Sequence, residues 1–212
     1  MKYILFIFLM FGVYGCLSLK SEYPEIKLYK LNQEPAGFKN ISTLDGIIQI
    51  RTFTSAEDIN TDHFLAMWDG TRIQNYFYYR WVTTASDLVT DFVISRFNTF
   101  KVFKGGAIKT QTMLVPDYIM EGHIIDMIAH NSTKTDDGAN TVSVSVQINI
   151  LKREPLKADK KIILTKVYSA NATRATNEAS NIAPAFSKAV SQLSDNIITD
   201  IAEILEKQNS TK

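Results

Sequence analysis

The sequence predicts an α+β fold: a single domain in which an antiparallel or mixed β-sheet carries two α-helices on one face. Two patterns point there. From Thr141 to Leu151, Val142, Val144, Val146, Ile148 and Ile150 alternate with Ser143, Ser145, Gln147 and Asn149, the period of a half-buried strand. Near the end of the chain, Ile182, Phe186, Val190, Leu193, Ile197, Ile201 and Leu205 recur at spacings of four and three, one continuous stripe on a long helix. The 212 residues carry a net charge of +1 and contain no Gly/Ser/Pro-rich linker between residues 40 and 205. That suits one domain and argues against a nucleic-acid binder, which needs basic surface to offset phosphates.

The first residues read as a leader. Lys2 precedes an apolar run from Tyr3 to Val13, too short for a comfortable membrane span, so residues 1–15 are assigned to a signal peptide. The run ends at Val13-Tyr14-Gly15-Cys16, and Cys16 is the only cysteine. A Cys after Gly at the end of such a segment resembles the bacterial lipobox, where the Cys is acylated and becomes the first mature residue. Cys16 is therefore the candidate lipidation site, and without a second Cys no intrachain disulfide can form. Leu17 stands where an Asp would signal inner-membrane retention in many Gram-negative bacteria, which by that resemblance favours the outer membrane. Residues 16–40, polar and holding Pro24 and Pro35, read as lipidated N-terminus and tether, although Ile26 to Leu31 alternates enough for an edge strand. The domain is expected over 41–207, with 208–212 a frayed tail.

Within it, Ile47 to Phe53 is short, β-branched and bounded by Gly46 and a polar loop, a strand. Phe64 to Trp68 and Arg72 to Trp81 form a hairpin around Asp69-Gly70-Thr71. Simple alternation in the return strand sends Ile73, Phe77, Tyr79 and Trp81 to the core, with Gln74, Tyr76, Tyr78 and Arg80 opposite. Thr84, with Asp87 three residues on, caps a helix through Leu88, Val89, Phe92, Val93 and Phe97. Phe100 to Phe103, with Lys101 and Lys104 on its rim and a stop at Gly105-Gly106, reads as an edge strand. Tyr118 to Ala129 and Ile162 to Tyr168 are further strands; the loops Asn131–Asn140 and Glu154–Lys161 join them to the run from Thr141. Pro184 fits the first turn of the last helix.

An aromatic hairpin, a Tyr-rich strand ending in Trp81 and a capped amphipathic helix, in that order, resemble the auxiliary lipoprotein component of bacterial ABC-type transport systems. Its paraquat-inducible protein C type accompanies MCE-type proteins. Tyr29-Lys30-Leu31 matches the family's opening strand, and Val115 to Tyr118 with the meander after it match its order of elements. After Trp81 the family tends to a small residue and proline, whereas this chain has Val82-Thr83-Thr84. The resemblance implies a non-catalytic subunit anchored by lipid in the outer membrane and facing the periplasm. Its implied partners are an MCE-type protein and an ABC permease and ATPase, moving lipids or other hydrophobic molecules.

The residues themselves offer little chemistry. His63, His123 and His130 have no metal-ligand spacing with one another or with Cys16, and no nucleophile elbow or phosphate-binding glycine loop occurs, so no metal or cofactor is expected. Glu121, His123 and Asp126 are close in sequence, but alternation puts Asp126 on the opposite face. Asp87 and Asp91 are explained by the helix dipole. Tyr76, Tyr78 and Arg80, which mix apolar rings, polar tips and a planar cation, are the candidate partner interface. A periplasmic lipid-binding carrier and a structural or assembly lipoprotein remain as alternatives, and homo-oligomerisation stays open.

Overall fold

A computed structural model describes residues 24–36, 41–109, 114–132, 140–153 and 160–210. The leader 1–15, Cys16 and Leu17 lie outside the described residues. Among the described residues, a mixed sheet of nine strands carries two α-helices on one face. In chain order these are β1 Lys27–Tyr29, β2 Ile48–Ile50, β3 Thr54–Ser55, β4 His63–Trp68, β5 Arg72–Trp81, α1 Ala85–Thr99, β6 Ala107–Ile108, β7 Tyr118–Asn131, β8 Thr141–Arg153, β9 Lys160–Thr173 and α2 Ile182–Ser210.

The long strand β7 is paired along both edges. On one side β8 runs antiparallel from Tyr118↔Lys152 to His130↔Thr141, and β9 extends that meander. On the other, three short strands lie parallel to β7 in succession: β2 from Ile48↔Tyr118, β3 from Thr54↔His123 and β4 from Ala66↔Ala129. β6 flanks β2, while β5 and then β1 lie beyond β4. The expected strand Ile47–Phe53 is thus only its middle. Phe53 leaves the ladder to lie over Gly122, where an added Cβ would meet its ring at 2.5 Å, and its N–H donates to Thr90 Oγ1 at 2.9 Å. A glycine at that place in β7 is a packing requirement.

Both helices form as their patterns predict. Thr84 adopts extended backbone (φ −63°, ψ 156°) and its side chain accepts from the Asp87 N–H, while Leu88, Val89, Phe92, Val93 and Phe97 are buried. Every residue of the predicted α2 stripe is buried, from Ile182 to Leu205, and Pro184 falls in the first turn. Asp200 pins the exposed side of this helix to β9 by accepting from Lys166 Nζ at 2.6 Å and Tyr168 OH at 2.7 Å.

Phe100 to Phe103 is not an edge strand. Lys101 N–H donates to Asn98 O (3.2 Å) and Val102 N–H to Phe97 O (3.0 Å), with Lys101 left-handed at φ 49°. This is a Schellman termination of α1, and it consumes the residues whose alternation suggested extended chain. Val102 and Phe103 are buried, and only Phe103 makes a bridge, to Leu44.

Residues within the span read as a tether are seated on the domain. After β1 the chain crosses the helix pair, where Asn32 N–H donates to Ser187 Oγ (3.0 Å) and Glu34 N–H to Ser191 Oγ (3.3 Å). Arg96, fully buried on α1, holds this strap: Nε and Nη2 donate to the Asp195 carboxylate on α2, both at 2.8 Å, Nη1 to Gln33 Oε1 and Glu34 O, and Nη2 to Pro35 O. Every N–H direction of the guanidinium finds an acceptor, which offsets the desolvation of a buried cation. Arg96→Met should therefore cost ~3–5 kcal/mol, because the nearly buried Asp195 loses its bidentate partner. Urea denaturation checks it; a loss under ~1 kcal/mol would refute the role assigned to this pair.

Candidate functional site

The aromatic hairpin begins as its turn residues dictate. Asp69 (φ 50°) and Gly70 (φ 83°) are both left-handed, and Thr71 N–H closes the turn on Trp68 O at 3.2 Å, the sense that matches strand twist. Pairing is regular from Trp68↔Arg72 to Phe64↔Tyr76, and then His63 pairs with Arg80. Phe77, Tyr78 and Tyr79 are extra residues on β5. An odd insertion inverts which side chains face inward.

That inversion corrects the predicted core face. Tyr76 faces the helices on the hairpin side of the bulge, and Tyr79 and Trp81 do so beyond it. They build an aromatic cluster with Phe64 (4.4 Å from Trp81, ring centre to ring centre), Tyr29 (5.1 Å from Phe64) and Phe186 (5.7 Å from Trp81). Ile73 and Phe77, expected inside, are 47 % and 61 % exposed. Nor do Tyr76, Tyr78 and Arg80 form one face. Tyr76 is half-buried and its hydroxyl accepts from Asn131 Nδ2 at 3.1 Å. Tyr78 is outward, with its ring edge-on to Phe77 at 5.1 Å. Arg80 lies over the Phe77 ring at 5.2 Å, donates from Nε to Phe77 O and approaches Asp62 at 3.5 Å. Leu28 of β1, 64 % exposed, is the cross-strand partner of Arg80. The outward surface is thus Leu28, Phe77, Tyr78 and Arg80.

A second cluster lies on the outer face of β7 and β8. A bulge between Ile124 and Asp126 shifts the strand by one residue, so Asp126 pairs with Ser145 and joins Glu121 and His123 on the outer face, contrary to simple alternation. The two neighbours are nonetheless engaged elsewhere: Glu121 with Arg51 at 2.5 Å and His123 Nδ1 with Thr54 Oγ1 at 2.8 Å. Asp126 instead accepts from Ser143 Oγ, which lies 2.8 Å from His130 Nε2. Ser143 stands between the acid and the imidazole. A nucleophilic triad requires the imidazole in the middle, oriented by the acid and taking the hydroxyl proton, so this order does not activate the serine. Sequence reading missed the trio because Asp126 and His130 reach Ser143 only after the bulge has changed the register.

A cleft of about 290 Å³ opens at the Tyr118 end of β7, with Asp45, Asp117, Lys152 and Arg153 among its walls beside Leu44 and Leu205. Both charge signs line it, which does not suit an acyl chain. Among the described residues no group of His, Cys, Asp and Glu is placed to hold a metal ion, and no helix is long and apolar enough to cross a membrane.

No protein-family model matches the chain, and neither does any curated protein. The fold does have solved counterparts. A crystal structure of a Xanthomonas campestris protein assigned to family DUF330 superposes with a TM-score of 0.73 at 12 % identity, covering 88 % of this chain and all of that one. That of an uncharacterized protein reaches 0.60 at 9 % identity, over 84 % of this chain and 99 % of that one. At such identities the likeness is one of fold.

Burial pushes the Asp126 carboxyl above the usual carboxylate range, with Asp58 adding to it and the Ser143 hydrogen bond opposing. A carboxyl whose pKa is higher in the folded state contributes stability below its unfolded pKa, and that contribution is lost as pH rises through the folded value. Asp126→Asn removes this loss, so its Tm relative to the natural protein should rise between pH 4 and pH 7. Paired thermal melts at the two pH values check it; an unchanged difference would count against the assignment.

Proposed function

We propose that this protein is a non-catalytic, lipid-anchored envelope protein. In this reading it sits at the periplasmic side of the outer membrane as the auxiliary subunit of an ABC/MCE-type system that moves lipids or other hydrophobic molecules. The observation that carries the anchored part is the apolar run Tyr3–Val13 delivering Gly15-Cys16, the only cysteine in the chain, at its end. Several acyl chains, each CH₂ contributing about 0.8 kcal/mol when buried, would hold a domain on a membrane without a spanning helix.

The transport role rests on the resemblance carried by Tyr29-Lys30-Leu31, the hairpin ending at Trp81 and the capped helix after it. The absence of catalysis is supported by the order of Asp126, Ser143 and His130, in which the acid engages the hydroxyl instead of orienting the imidazole. A carrier that encloses lipid is less well supported, because the cleft at Asp45 and Lys152 is lined by charges.

Two measurements test the reading. Labelled palmitate should enter the natural protein and not Cys16→Ala; equal labelling removes the anchor. Affinity capture of the lipidated protein from detergent-solubilised envelopes should bring down a permease, an ATPase and an MCE-type protein. Recovery without any of the three would overturn the transport role while leaving the anchor standing.

A further inference from the structure

We infer that the outward surface of Ile26, Leu28, Phe77, Tyr78 and Arg80 is where the domain rests on the lipid surface that carries its anchor. The inference rests on the reading that Cys16 is acylated, and it adds which side of the domain meets the bilayer.

Ile26, Leu28, Phe77 and Tyr78 are 45 %, 64 %, 61 % and 36 % exposed, a grouping of large apolar side chains that the fold has turned outward. The register slip in β5 completes it: Phe77 is outward by the alternation of the hairpin, and the three extra residues keep Tyr78 beside it while turning Tyr79 and Trp81 inward. Leu28 stands opposite Arg80 in the parallel β1–β5 pair, Arg80 covers Phe77, and Phe77 meets Tyr78, so the four are contiguous. Phenyl and phenol rings beside guanidinium and ammonium groups suit the boundary between acyl chains and headgroups, where the rings displace water and the cations meet phosphate. Lys30, exposed, follows the same strand directly, while Lys27 lies over the Tyr79 ring on the other face.

The length of the tether selects a bilayer over other occupants. Residues 17–25 are all that separate Cys16 from Ile26, and fully extended they span at most about 36 Å. The chain joins the domain within the patch itself. The join is fixed, because β1 is hydrogen-bonded to β5 and the strap that follows is held by Arg96, Ser187 and Ser191, so the domain cannot swing away by peeling off its own N-terminus. Of all the surfaces, this one is therefore kept nearest the membrane.

With Cys16 taken by lipid, an introduced cysteine is the only thiol available for labelling. The lipidated protein, carrying an environment-sensitive fluorophore at Leu28→Cys, Phe77→Cys or, on the exposed side of α2, Asn196→Cys, is reconstituted into vesicles of phosphatidylethanolamine and phosphatidylglycerol. Flotation reports the anchor, and quenching by spin-labelled lipid reports contact. Blue-shifted emission and at least twofold stronger quenching at positions 28 and 77 than at 196 are expected. Flotation with equal, water-like signals at all three positions would overturn the docking and leave the anchor intact. Failure to float would overturn the anchor and the docking together. Shielding of positions 28 and 77 from lipid quencher that develops only when envelope proteins are added would assign the patch to a protein partner and overturn the lipid contact.

Discussion

The fold depends on one strand having no free edge. β7 gives one side of its ladder to β8 and divides the other among β2, β3 and β4, so segments far apart in sequence are held in one sheet by a single backbone. Central strands leave buried amides that only neighbouring strands can satisfy, which obliges the three short pieces to fall in line despite their length. Gly122 and the bulge before Asp126 are local consequences: the first admits Phe53 against the strand, the second resets its facing where β3 pairs with it before β4 takes over.

Over this sheet the two helices are fastened by Arg96 and Asp195 as well as by apolar packing. The guanidinium joins α1, α2 and the N-terminal strap at one point, and of its remaining donors one takes the Gln33 side-chain amide oxygen and two take backbone carbonyls of the strap. The polar side chains of Ser187 and Ser191, on a helix whose other face is apolar, have the same purpose of seating the strap. The segment around β1 is thereby fixed to the side of the domain that carries the exposed aromatic surface. A tethered domain with a rigid point of attachment has a preferred orientation, and the proposed function and membrane contact both draw on that.

Much of the secondary structure was legible because its signals are local. Thr84 and Asp87 cap α1, Asp69-Gly70 turns the hairpin, and the stripe from Ile182 to Leu205 is buried throughout. Reading failed where pairing overrides alternation. The core-facing set Ile73, Phe77, Tyr79 and Trp81 was half right, since three extra residues on β5 invert the pattern between Tyr76 and Arg80. Asp126 was placed on the wrong face for the same reason. Phe100 to Phe103 alternates like a strand, yet the orphan carbonyls at the end of α1 claim its amides first.

Local order along the chain was enough to specify a strand-rich domain closed by one long amphipathic helix, with an apolar run and a lone Cys16 ahead of it, because periodicity and composition are properties of neighbouring residues. It did not determine which aromatic rings are buried, that residues 27–36 belong to the domain, or that Asp126, Ser143 and His130 meet. Those outcomes hang on the register of paired strands, where a slip of one or three residues changes little backbone hydrogen bonding but reverses every side chain beyond it.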